Sequence, residues 1–546
     1  MYWVRRGTIL VSLFLIISFV AWFVPRALDP TRVSPERRAR DRLWVNSSPY
    51  FWDRQLCRWI SVCGLNHLRR DPASLFSPKP PVDDDDGDDG DDGGGAGDLV
   101  FGELRRRALA ADVPPRSWED EPLDPSEASD GGFVRQRPDT KRLPTGKRKI
   151  LKDIPSYVLK YAPLVHLYSG EQFWPSDIRE HIQHMNVTVN GELLDSNNTW
   201  TLNNLSRLNE NRGFVVLHSL DDVETRPDWL HSHVNRPGPY PDSPDGGDEH
   251  PVLDDEDQPV YRKERTSWFD VDKQHPLHRI ADPRPETRRL GARSERPRIL
   301  PRGHKPDADG YSKAPAVLVL VDKGSGVVDA FWFFFYSYNL GQTVLGIRFG
   351  NHIGDWEHCM IRFENGEPRG IFFSEHEGGQ AYAWDAIEKR GVRPVIYSAV
   401  GSHAMYPLPG EHPYVLPFRM LKDVTDKGPL WDPALNNYAY HYDYTKENRW
   451  DTRDPWDDKV SRVGKAESLV PAASNPDAPT SWFHYRGRWG DEVYTLADIR
   501  QWRLFGQYHY VTGPSGPKFK HLDRSKLCQS RRCRILYKID PKRTWY

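Results

Sequence analysis

The C-terminal half of the chain carries apolar residues in continuous runs of strand length. APAVLVLVD (314–322) and VDAFWFFFYSYNL (328–340) are apolar or aromatic at nearly every position, the pattern of strands covered on both faces. CMIRF (359–363), the turn residues ENGEP and the run RGIFFSEH (369–376) predict a hairpin, with Asn365-Gly366 as its turn signal. RPVIYSAVGSH (393–403) predicts a further strand. Upstream, YVLKYAPLVHLYSGEQFWPSDIREHIQHM (157–185) gives an extended apolar stretch, a turn at Ser169 and Gly170, and a short helix led by Pro175. Long amphipathic helical patterns are scarce, so the predicted fold is mainly β, a β-sandwich with long loops and insertions.

Other segments lack periodicity. VDDDDGDDGDDGGGAGD (82–98) has nothing to bury and reads as a disordered spacer; it lacks the spaced ligands of a calcium loop. Residues 235–310 are charged and aperiodic and read as a disordered insertion within one domain. At the N-terminus an uncharged run from Gly7 to Val24 lies between Arg5-Arg6 and Arg26, with Tyr2, Trp3 and Trp22 at interfacial positions. No small-x-small cleavage site follows, so the run is expected to stay as a transmembrane helix preceding the fold. The predicted organisation is a signal anchor (1–26), a juxtamembrane and acidic linker (27–150), and a β-rich domain (151–546).

Composition changes this picture little. The 546 residues are 38% hydrophobic and 12% aromatic, enough for a core, while 46 prolines suit long irregular segments. A net charge of -2 with no basic face argues against nucleic acid as a partner. Topology has conflicting signals, because six arginines from Arg26 to Arg42 favour a cytosolic domain by the positive-inside count. Against this, Asn46, Asn186, Asn197 and Asn204 begin glycosylation sequons, and Cys57/Cys63 and Cys528/Cys533 form two close pairs, leaving Cys359 single. The expectation is a luminal domain of the endomembrane system or vacuole with two local disulfides.

The chemistry gathers at GNHIGDWEHCMIRFENGEPRGIFFSEHEGG (350–379). In a strand from Asp355, alternation places Asp355 and Glu357 on one face with Cys359, and Trp356 and His358 on the other. His352 lies at the strand's start, the hairpin returns Glu375, His376 and Glu377 to the same end, and GSHAMYP brings His403. Such a rim, collecting His352, Asp355, Glu357, His376 and His403 with Glu375 or Glu377 nearby, suits magnesium, calcium or manganese, and zinc less obviously. Glu375, His403, Trp356 and Tyr406 are then candidates to touch a polar ligand, with Tyr382 and Trp384 as further aromatic faces. The alternative is structural hydrogen bonding at strand ends. No G-x-S-x-G, P-loop or H-E-x-x-H is present, so the chain is read as more a binder than an enzyme. A hydrolase with Glu357, Glu375 or His403 as base, and a ligand-free adaptor, are the competing functions. Protonation of His352 or His376 in an acidic organelle would weaken cation binding.

FWFFFYSYNLGQTVLGIRFGNHIGDWEH, FFSEHEGG, RPVIYSAVGSHAMYP, GPLWDP, SWFHYRGRWGD and GQYHYVTGPSGPKFK resemble the fungal branch of the vacuolar protein sorting-associated protein 62 family, over residues 155–235 and 311–535. That resemblance implies a role in protein delivery to the vacuole and leaves the chemistry open. HIGDWEH, SEHEGG and GSHA are also similar in order to the necrosis-inducing secreted toxins with a GHRHDWE motif. Those toxins are β-sandwiches that bind a divalent cation and sphingolipid head groups at this rim. Carried over, the resemblance gives His352, Asp355 and Glu357 the cation role, with His376 beside them. Asn351, Ile353 and Gly354 depart from the motif, so cytolysis is not implied. The function expected is cation-assisted binding of a glycolipid, glycan or cargo protein by a membrane-anchored sorting protein.

Overall fold

The computed structural model describes residues 11–16, 18–19, 35–69, 153–194, 199–232, 304–376, 378–413, 421–447, 468–529 and 533–539. The chain divides into two compact units, one of residues 1–68, 80–122 and 495–508, the other of 69–79, 123–494 and 509–546. Residues 35–69, expected within a linker, are ordered, and 495–508 leave the C-terminal domain to group with them.

In the smaller unit the helices Pro35–Asn46 and Phe51–Ile60 precede the short strand Val62–Cys63, which pairs with Arg503–Leu504. Trp44, Val45, Cys57, Cys63 and Leu496 form its core, and a disulfide joins Cys57 to Cys63. Arg503 pairs with Asp41 and lies over the rings of Trp44 and Tyr508, so its charge is neutralised where it is buried. Residues 11–16 and 18–19 are helical with exposed apolar side chains. Among the described residues no helix is long and apolar enough to cross a membrane, and most of the 1–26 segment lies outside them.

The larger unit is mainly β and built of several sheets. In chain order its principal strands are β1 Leu164–His166, β2 Ala316–Gly324, β3 Val327–Asn339, β4 His352–Glu364, β5 Glu367–Glu375 and β6 Gly378–Ala383. They continue as β7 Arg393–Ser398, β8 Met405–Tyr406, β9 Leu430–Trp431, β10 Asn437–Tyr442, β11 Leu469–Pro471 and β12 Ile535–Leu536. The large sheet runs β11-β10-β2-β3-β4-β5-β6-β12; a second sheet has Lys389–Arg390, β7, β1 and β9 in order, with β8 paired to β7.

The aromatic run of β3 is apolar throughout because the large sheet is covered on both faces. On one face Leu318, Trp332, Phe334, Cys359 and Phe373 share a core with Val165, Ile396, Met405 and Trp431 of the second sheet. On the other, Val319, Phe333, Phe335, Trp356 and Met360 pack under an irregular layer that includes Leu205, Leu217, Trp482 and Trp489. The β4–β5 turn has Asn365 and Gly366 at φ 52° and 84°, the left-handed pair that the Asn-Gly signal predicts. One buried charge near this hairpin is matched, since Arg362 Nε and Nη2 each donate to Asp329 at 2.7 Å.

The expected spacer at 82–98 lies outside the described residues, as does the 235–310 insertion apart from 304–310. Cys528 and Cys533 are disulfide-bonded and Cys359 is a buried free thiol. Asn46 and Asn186 are exposed, Asn204 is half-buried, and Asn197 lies outside the described residues.

Candidate functional site

β4 places its acidic residues by register. Asp355 stands opposite Tyr336 and Glu357 opposite Phe334 on β3, so both carboxylates join the face that packs on the second sheet. Both are nearly sealed from water, as is Glu375 at the end of β5. Buried carboxylates on neighbouring strands need protons, cations or donors, and the structure supplies several donors.

Asp355 Oδ2 accepts from His403 Nδ1 at 3.0 Å. His403 is fully buried, stacks on Tyr336 at 3.6 Å, and reaches the Phe173 carbonyl through Nε2 at 3.3 Å. Burial alone would lower its pKa, but the charge of Glu171 and the bond to Asp355 lift it to about 9. Glu171 takes the amides of Gln172, Phe173 and Gly401 at 2.7, 2.9 and 2.9 Å.

A second pair neighbours the first. His376 Nε2 donates to Asp423 Oδ2 at 2.8 Å, and Asp423 also accepts from Ser402 and Tyr406 at 2.7 and 2.8 Å. Burial opposes the His376 charge, yet Asp423 raises its pKa to about 9; burial would raise Asp423, and His376 with the hydroxyls hold it low. Both His376 and His403 have left-handed backbones at φ 55° and 54°, which turn the imidazoles inward at strand ends.

Two carboxylates are less well served. Glu357 accepts from the Ser374 hydroxyl, but burial and then Asp355 push its pKa to about 8. Glu375 is driven well above the carboxylate range by burial, with Asp423 and Glu357 adding to the shift against His376. His352 donates through Nδ1 to the Gly354 carbonyl at 2.6 Å, and burial lowers its pKa against the pull of Asp355. The residue types are those of a hard divalent cation, oxygen-rich with imidazole beside them, but among the described residues no three of the rim's donor atoms lie within 4.8 Å of one another.

The structure therefore brings His352, Asp355, Glu357, Glu375, His376 and His403 to one end of the large sheet, largely as pairs. His376 is committed to Asp423, which limits its freedom as a ligand. Trp356 must be corrected: its ring packs on the opposite face, against Phe335, Trp482 and Trp489, and is 1% exposed. Tyr406 and His403 are likewise closed off, and they orient Asp423 and Asp355 where a surface for a ligand had been expected. Tyr382 is also buried, and Glu377 lies outside the described residues.

Sequence reasoning did not find Glu171, Ser374, Ser402 or Asp423. Asp423 lies in the short strand Lys422–Thr425, where three successive residues are buried and no period marks the acid, and Glu171 reaches the rim only through the fold. Gly354 has a steric reason. At φ 68° a Cβ there would stand 2.2 Å from the Trp489 carbonyl oxygen, so this position has no room for the toxins' second histidine.

Comparison with known proteins supplies context. The family model for vacuolar protein sorting-associated protein 62 matches residues 324–415. Vacuolar protein sorting-associated protein TDA6 of Saccharomyces cerevisiae is 33% identical over 412 residues, 69% of this chain and 68% of that one. Vacuolar protein sorting-associated protein 62 of the same yeast is 32% identical over 440 residues, 75% of this chain and 72% of that one. Among solved structures, Necrosis and Ethylene inducing Protein 2 from the causal agent of cocoa's Witches Broom disease is 18% identical, covering 18% of this chain and 46% of that one at TM-score 0.14. NLPPya in complex with mannosamine is 13% identical, covering 21% and 48%, also at 0.14. These structural likenesses are too slight to carry an argument.

Proposed function

This chain belongs to the vacuolar protein sorting-associated protein 62 family, and on that premise we propose that it serves protein delivery to the vacuole by binding a polyhydroxylated head group, a glycan or glycolipid, through a divalent cation at the β4–β5 rim. The observation that carries the reading is an excess of buried carboxylate. Asp355, Glu357, Glu375 and Asp423 are buried towards one end of the sheet, where His376 pairs with Asp423 and His403 with Asp355 and Glu171, and Glu357 has the Ser374 hydroxyl as its hydrogen-bond donor. A cation held by Glu357 and Asp355 with His352 beside them, and with His376 once released from Asp423, would replace the protons that burial otherwise forces onto the acids. Calcium, magnesium or manganese keeps coordination positions that vicinal hydroxyls of a sugar or inositol can fill.

The anchor belongs to the same proposal. In it the run Gly7–Val24 serves as the tether to an endomembrane, and the sequons with the two disulfides support a luminal large unit. Function here is binding; the rim is packed with paired groups and carries no nucleophile motif.

Calorimetric titration of the full chain in detergent with calcium, magnesium and manganese tests the rim. The parent is expected to take up near one equivalent of one of them, and Glu357→Gln none while remaining folded. If neither binds, the carboxylates are a structural hydrogen-bonding network and the protein is an adaptor.

A further inference from the structure

Away from the rim, a second group of metal-type side chains converges. Glu180 lies on the helix Ile178–Gln183, His231 ends the turn Asp228–Leu230, and His304 stands where the described chain resumes after residues 233–303. His231 Nε2 is 3.1 Å from Glu180 Oε2, and His304 Nε2 is 2.9 Å from that same oxygen. The two imidazole centroids are 4.0 Å apart. All three donor atoms lie within 4.8 Å of one another, the one such trio among the described residues.

We propose that Glu180, His231 and His304 bind a zinc ion that ties His231 and His304, on either side of residues 233–303 in the sequence, to the helix bearing Glu180.

The ligand chemistry fits. Two imidazoles and one carboxylate, with water in the fourth position, are a donor set that zinc takes with tetrahedral geometry. Bonds of about 2.0–2.1 Å imply ligand-to-ligand edges of about 3.3–3.4 Å in a tetrahedron. The observed separations of 3.1 and 2.9 Å need to open only by a few tenths of an ångström. Exposure is graded in the same sense. The His231 side chain is 4% exposed and that of His304 18%, while Glu180 at 37% leaves a side open for water.

The backbone also prepares the two histidines. His231 is left-handed at φ 55°, its amide donates to the Asp228 carbonyl at 2.9 Å, and its carbonyl accepts from Trp174 at 3.2 Å. The His304 carbonyl accepts from Ser312 at 2.7 Å. Without a cation, two imidazoles tilted by 31° with centroids 4.0 Å apart both direct Nε2 at one carboxylate oxygen. Zinc resolves that crowding. An ion that binds only the folded arrangement also links residues distant in the sequence and stabilises the native state by mass action.

Cobalt(II) substitution tests the site in the full chain, stripped of metal in detergent. The parent is expected to take one equivalent with the intense visible band of tetrahedral cobalt, bleached by one equivalent of zinc. His304→Ala and Glu180→Gln, both at partly exposed positions, should lose the band while keeping the parent's near-UV circular dichroism. The rim variant Glu357→Gln should keep it, which separates this site from the rim reading. A parent without the band overturns the proposal, as does a band that survives His304→Ala or disappears in Glu357→Gln.

Discussion

Glu357 is the residue on which the rim turns. In the folded state it keeps its proton up to about pH 8, against an ordinary value of 4.5, because burial and Asp355 oppose its charge. A group that binds its proton more tightly when folded loses stability as pH rises between those two values. His376 and His403, raised from 6.5 to about 9, contribute stability that is complete below 6.5 and lost as pH rises through 9. The three act in one direction. Their fall is expected in the urea midpoint of the cation-free protein between about pH 6.5 and about pH 8, because below 6.5 the buried His181 and His484, lowered to about 3 and about 4, add stability as pH rises and oppose it. A flat profile would count against these burial assignments. Glu357→Gln removes the carboxylate that resists burial, so it should raise the cation-free midpoint at pH 8 and abolish any rise on adding calcium. Gly354→Ala tests the tight backbone beside it. A methyl 2.2 Å from the Trp489 oxygen should cost roughly 1–3 kcal/mol, read from the denaturation midpoint.

At the scale of elements, continuous apolar runs and the Asn-Gly turn identified β2, β3 and the β4–β5 hairpin in the sequence, because burial on both faces leaves a run that no surface strand shows. Alternation also placed Asp355 and Glu357 on one face correctly. It could not show that Trp356 faces core, since both faces of that strand are covered. The second sheet was only partly legible: β8 and β9 are two residues each, too short for any period, and exist because β7 and β1 offer them edges. The irregular layer around Trp482 and Trp489 is aromatic without periodicity, so its role as a lid on the sheet appeared only in three dimensions. Trp332, fully buried between the two sheets, is the element-scale test. Trp332→Ala should cost about 3–5 kcal/mol and be far more damaging than any rim substitution.

For the whole molecule, the family relation covers most of the chain, and what the sequence left open was the N-terminal unit, whose short helices carry weak apolar signals between charged positions. A luminal location predicts that glycosidase treatment of the expressed protein increases its gel mobility, with Asn186→Gln reducing the shift; an unchanged mobility would place the large unit on the cytosolic side. Cys359 gives the same location a kinetic meaning. Its thiol is fully buried between the two sheets, and burial pushes its pKa far above that of a free cysteine. In an oxidising compartment an odd thiol threatens the two disulfides by exchange, which requires thiolate at the surface. Here the sandwich itself acts as the safety catch: the sulfur meets reagent only when the sheets part. The rate at which a thiol-specific dye labels the native protein is therefore a clock for opening of the core, set by the chain at its centre.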